Sequence, residues 1–158
     1  MTYLNPEAWL NLNRVVRFGD TDAAGVMHFL QLFRWCHEAW EESLEIYGLE
    51  ASSIFPQTNF QKDDAKDLIG LPIVHCHADF LRPLHNGDYV DIELRPEKLE
   101  RGRFQIEFNF KKNNIKVAKG LIRHQAINSH TRKCCLLPDE ITLWLEASSV
   151  TRGITTCN

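Results

Sequence analysis

The chain has 158 residues, 44% hydrophobic and 25% charged, with a formal net charge of −3 and a pI near 6.1, so it carries no global pull toward nucleic acid or an anionic membrane surface. It is long enough for one domain that buries about 70% of the surface its unfolded chain exposes, and it contains no apolar run able to span a bilayer. Its five cysteines (Cys36, Cys76, Cys134, Cys135, Cys157) match neither CxxC nor zinc-ribbon spacing, and the start MTYLNPEAW lacks the basic and apolar regions of an export signal, so a reduced, cytoplasmic protein is expected.

Residues 11 to 18 alternate as a strand and run into VVRFGDTDAAGVMHF, residues 15 to 29, where Asp20 and Asp22 precede small residues, Gly25 and a helical pattern. Two readings are open there. Aspartate tolerates turn geometry and caps helices by accepting hydrogen bonds from free amides. A carboxylate at the same point can also be aimed at a substrate bound on that helix end. The segment LQLFRWCHEAWEESLEIYG then spaces Leu30, Phe33, Cys36 or His37, Trp40, Leu44 and Tyr47 by three and four residues and stops at Gly48, which predicts one helix of about five turns. Residues 49 to 70 have no clean period and read as a long excursion with a short helical turn.

From residue 74 onward the period is two. Val74, Cys76, Ala78 and Phe80 alternate with His75, His77 and Asp79; Val90, Ile92 and Leu94 with Asp91 and Glu93; Phe104, Ile106, Phe108 and Phe110 with Gln105, Glu107 and Asn109. Turn signals at PLHNGD, RG and KNN separate these half-buried antiparallel strands, and a last strand, 115 to 128, shifts phase near Lys119 and Gly120, which predicts a bulge there. An amphipathic turn or two begins at Pro138 and carries Ile141, Trp144 and Leu145. His75 and His77 have the spacing of metal ligands, but no third or fourth ligand accompanies them in the sequence, so no metal is expected.

Strand, long helix, loop and antiparallel meander make an α+β chain. Its economical solution is the hot-dog fold, a long central helix wrapped by a curved antiparallel sheet, with residues 1–158 as a single domain. Edge pairing into a homodimer or homotetramer, with sites at the subunit interface, is expected from such a sheet.

RFGDTDAAGVMHF, FRWCHEAWEESL and ADFLRPLHNGDYVDIEL resemble the 4-hydroxybenzoyl-CoA thioesterase family of hot-dog enzymes, from about Arg14 to Trp144. VRFGDTDAAGVMHF, QLFRWCHE and LIRHQAIN are similar, more narrowly, to the subfamily acting on 1,4-dihydroxy-2-naphthoyl-CoA in cyanobacterial phylloquinone synthesis. The resemblance implies an acyl-CoA substrate and no cofactor. It also implies that Asp22 is the nucleophile or general base, with Asp20 a turn former. Gly25 permits close backbone approach, and the backbone amides of His28 and Phe29 are expected to hold the oxyanion. Relatives acting on aliphatic thioesters carry a His where this chain has Phe29. His37 stands where the 4-hydroxybenzoyl enzymes place an aspartate on the ring hydroxyl; it either binds the substrate ring or is a plain helix residue. Arg101, Arg103 and Arg123 match the basic positions that meet the CoA phosphates, and each can also be a solvated strand edge or turn.

Overall fold

Helix α2 (Phe29–Tyr47) is where the three- and four-residue period placed it. Its buried residues Leu32, Trp35, Cys36, Ala39, Trp40, Ser43 and Leu44 form one stripe, and Gly48, at φ +108°, ends it: the Gly48 and Leu49 amides both donate to the Leu44 carbonyl. The computed structural model describes residues 5–55 and 68–149. In chain order the other elements are α1 (Glu7–Leu10), β1 (Asn11–Val15), α3 (Ala51–Ile54), β2 (Ile69–Gly70), β3 (Ile73–Phe80), β4 (Tyr89–Glu100), β5 (Arg103–Lys112), β6 (Ile115–Gln125), β7 (Ile127–Asn128) and α4 (Asp139–Ser149). Of the excursion expected over 49 to 70, residues 56 to 67 lie outside the described residues, as do residues 150 to 158 with Cys157.

The main sheet is antiparallel with strand order β1-β4-β5-β6-β3. Alternation decides which side faces α2: Phe104, Ile106, Phe108 and Phe110 of β5 and Ile92 and Leu94 of β4 are buried against the helix, while Gln105 and Glu107 point away. Helix α4, three turns where one or two were expected, closes the core with Ile141, Trp144 and Leu145. Two indoles buried there find hydroxyl acceptors on other elements, Trp144 Nε1 on Ser43 Oγ (3.2 Å) and Trp9 Nε1 on Ser148 Oγ (2.9 Å). The Trp9 bond docks α1, a turn too short to carry a period.

Three sequence expectations change in detail. The first strand ends at Val15, and Phe18–Asp20 is a 3-10 turn. The last strand breaks at Ala126, and its end pairs as β7 with β2 in a separate ribbon. The irregularity in β6 lies between the pairs Phe110↔Ala118 and Lys111↔Lys116, so Val117 bulges, not Lys119 or Gly120. Gly120 has another purpose: a Cβ there would stand 2.8 Å from Cys36 Sγ, so the missing side chain lets α2 lie close on β6.

Strand β3 is one edge of the main sheet, opposite β1. Seven of its eight residues are exposed, among them Ile73, Val74 and Phe80.

Candidate active site

The link from β1 to α2 is folded by its own carboxylates. Asp20 Oδ2 accepts from the Arg17 amide at 2.8 Å, and the Asp20 carbonyl accepts from the His28 amide at 2.8 Å. Asp20 is a turn former, as expected. Two residues on, Asp22 Oδ1 accepts from the Ala24 amide at 2.8 Å and the Asp22 carbonyl from the Gly25 amide at 3.0 Å, with Gly25 at φ +76° turning the chain. Asp22 Oδ2 has no hydrogen bond among the described residues, and the side chain is exposed.

Beside it opens a cavity of about 360 Å³, whose walls include Asp22, Met27, Phe29, Phe80, Leu81 and Arg82. Its far wall is held in place by backbone bonds: the Leu81 and Arg82 amides both reach the Val117 carbonyl at the β6 bulge, and the Met27 amide reaches Leu84.

The N-terminus of α2 supplies the donor side. Of its first amides, Leu30 donates to the His28 ring Nδ1 at 3.2 Å and Gln31 to the His28 carbonyl at 2.9 Å. The Phe29 amide has no partner among the described residues and belongs to a residue lining the cavity. The expectation for His28 is therefore corrected: its amide is already given to the Asp20 carbonyl, and its imidazole is the helix cap.

His37 does not line this cavity. It sits two turns further along α2, with Nδ1 2.8 Å from Glu41 and its ring against Trp40. Next to it His124 is buried, its Nδ1 2.9 Å from the Leu71 carbonyl and its ring stacked on Phe104; burial pushes its pKa down to about 4. The three arginines lie elsewhere. Arg103 donates to Gln125 and Arg123 to Gln105, both on the sheet face turned away from α2, and Arg101 with Arg103 borders a second, open cavity of about 500 Å³ beside Cys134 and Cys135. No group of three or more metal-ligating side chains occurs among the described residues.

Arg82 is the cation that sequence reasoning missed. Among the described residues it is the one basic residue on the wall of the Asp22 cavity, and its guanidinium has no partner there. The dipeptide Arg-Pro after a strand was a visible turn signal, but only the bulge at Val117 turns that loop toward Asp22.

Residues 16–145 match the model of the thioesterase-like superfamily. The chain belongs to that superfamily. The 1,4-dihydroxy-2-naphthoyl-CoA hydrolase of Prochlorococcus marinus strain MIT 9303 is 59% identical over 147 residues, 93% of this chain and 96% of the relative. A crystal structure from P. marinus strain MIT 9313, provisionally called a thioesterase, shares 59% identity with a TM-score of 0.85, over 92% of this chain and 99% of that one. The 1,4-dihydroxy-2-naphthoyl-CoA thioesterase of Synechocystis superimposes with a TM-score of 0.75 at 28% identity, over 86% and 94%. The hot-dog fold and thioesterase class expected from the sequence are both borne out.

Proposed function

We propose that this thioesterase hydrolyses 1,4-dihydroxy-2-naphthoyl-CoA to 1,4-dihydroxy-2-naphthoate and CoA, a step of phylloquinone synthesis in the cytoplasm, using neither cofactor nor metal for the chemistry. The carrying observation is that one cavity is lined by both Asp22 and Phe29, whose Oδ2 and backbone N–H are unpartnered among the described residues. Thioester hydrolysis needs that pair. Either Asp22 takes a proton from the attacking water and that proton passes to the CoA thiolate as the C–S bond breaks, or Asp22 attacks the carbonyl carbon and CoA leaves as the thiolate. On the second route water then cleaves the mixed anhydride and supplies the thiolate's proton. The Phe29 amide meets the oxyanion on both routes. The identity of the acyl group rests on the naphthoyl-CoA hydrolases that this chain is similar to over nearly its whole length.

Two chains pair along β3 in this reading. That edge leaves the outer side of an eight-residue strand unpaired and carries exposed Ile73, Val74 and Phe80, and Phe80 with the adjoining Leu81 also lines the Asp22 cavity, which a second copy closes in this reading. Arg101 and Arg103, with Arg123 on the neighbouring strand, are the cations for the nucleotide phosphates. His37, which lies outside the Asp22 cavity of its own chain, meets a ring hydroxyl of substrate bound across the seam, since Glu41 holds Nδ1 and leaves Nε2 to bond it.

Steady-state hydrolysis of a panel of acyl-CoAs tests the proposal. The highest kcat/KM is expected with 1,4-dihydroxy-2-naphthoyl-CoA, above 4-hydroxybenzoyl-CoA, benzoyl-CoA and butyryl-CoA. A higher value with another member replaces the substrate, and binding without turnover on any of them makes the chain an acyl-thioester binder.

A further inference from the structure

We infer that His75 and His77 form a site for a divalent transition metal of the zinc type at the seam between two copies of this chain; the inference rests on the β3 pairing proposed above. Register on β6 decides where the two rings point. Cys76 lies opposite Ile122 and Ala78 opposite Gly120, the side packed on α2, whereas His75, His77 and Asp79 lie opposite Arg123, Leu121 and Lys119 on the outer side. Both imidazoles are exposed, and their ring centroids are 5.5 Å apart. Two imidazoles bound tetrahedrally to one zinc through bonds of about 2.0–2.1 Å have ring centres roughly 5 Å apart. The spacing of the pair matches that of two imidazoles on one metal.

Among the described residues a single chain brings together only these two rings, which is half of a tetrahedral set. Symmetry supplies the rest. A two-fold axis that extends one antiparallel sheet stands perpendicular to it, so outward residues stay outward and only residues of like parity face each other. The two registers that keep the most of β3 paired are centred on Cys76 or on His77. In the first, His75 faces the partner's His77 twice over. In the second, His77 faces its own copy and His75 faces the partner's Asp79. Strands lie about 4.8 Å apart, so either register brings further ligands to chelating distance on the same face. Neighbouring cations are drawn away from that spot: Arg123 binds Gln105 through two N–H groups at 3.1 and 2.9 Å, and Lys119 pairs with Glu107 at 3.2 Å.

The test uses untagged, chelator-stripped protein, zinc titrated calorimetrically, and sedimentation velocity with and without the metal. One Zn²⁺ per two chains is expected, with a tighter dimer in its presence, and H75N/H77N should lose that binding while keeping its circular dichroism and its hydrolase activity. A metal-free dimer that takes up no more zinc than H75N/H77N overturns the metal site and leaves the β3 dimer standing. Uptake of one Zn²⁺ per chain by a monomer overturns the seam. A chain that is monomeric with and without zinc overturns the pairing, and the metal site falls with it. A monomer that zinc converts to a dimer, and that H75N/H77N leaves monomeric, supports the site.

Discussion

Asp20 and Asp22 stand one residue apart and do unlike work because their oxygens are spent differently. Asp20 gives a side-chain oxygen to Arg17 and its carbonyl to His28, so it holds the turn against the start of α2. Asp22 gives Oδ1 to Ala24 and keeps Oδ2 for the cavity. Asp22→Asn preserves shape and the Ala24 contact but removes the nucleophile or base. Its kcat is expected to fall by about a thousandfold or more, roughly 4 kcal/mol of barrier, with little change in melting temperature. Asp20→Ala, which removes the acceptor of the Arg17 amide, should do the opposite, losing on the order of 1 kcal/mol of stability and little rate. Steady-state kinetics and thermal melts on both variants check this, and exchanged outcomes would exchange the roles.

Between elements, the contact that sets the site is α2 on β6. The helix end must come close enough to the sheet for Phe29 and Ala118 to line one cavity, and Gly120 makes room by facing Cys36 Sγ and Leu32 one helical turn apart. Burial holds the Cys36 thiol protonated, so it acts as a small apolar group in that contact. Gly120→Ala is expected to cost about 1–3 kcal/mol by overpacking. Cys36→Ala removes the atom the new methyl meets, so the double variant should be less destabilised than the sum of the singles, by about 0.5 kcal/mol or more, in urea denaturation. Additive costs would mean that backbone, not Cys36, limits the approach.

At the scale of the whole molecule, His124 joins several layers: its ring packs on Trp40 of α2 and Phe104 of β5, and its Nδ1 meets the Leu71 carbonyl. Burial, with a smaller push from the charge of His37, takes its pKa from 6.5 down to about 4. The folded state therefore binds fewer protons than the unfolded chain between those values. His124 costs nothing above pH 6.5, and stability falls as pH drops from about 6.5 toward 4. From pH 7 to 5 the loss is expected to be about 2 kcal/mol, read from urea midpoints. His124→Gln should be less stable at pH 7 but should flatten that slope. Asp88, Glu93 and Glu107 do not blur the window. Their burial is outweighed by Lys112, by Arg95 and Lys111, and by Lys119 respectively, so their pKa values lie low and their contribution is lost only in stronger acid.

What the sequence by itself determined is what a local period or a local hydrogen bond encodes. The span of α2 follows from apolar residues at helical spacing and a glycine stop, the inward faces of β4 and β5 from alternation, and the turn role of Asp20 from chemistry within three residues. That Arg103 and Arg123 share the outer face with Gln105 came instead from the pairing of β5 with β6. Only the tertiary structure decided that the His28 amide is taken, because its acceptor arrives from a turn eight residues back. It also decided that Arg82 lines the same cavity as Asp22, because a bulge on β6 catches the chain just after β3, and that β3 is the edge with two histidines outward. Strand order and loop docking depend on partners distant in the chain, and such pairings leave no periodic trace in the residues that make them.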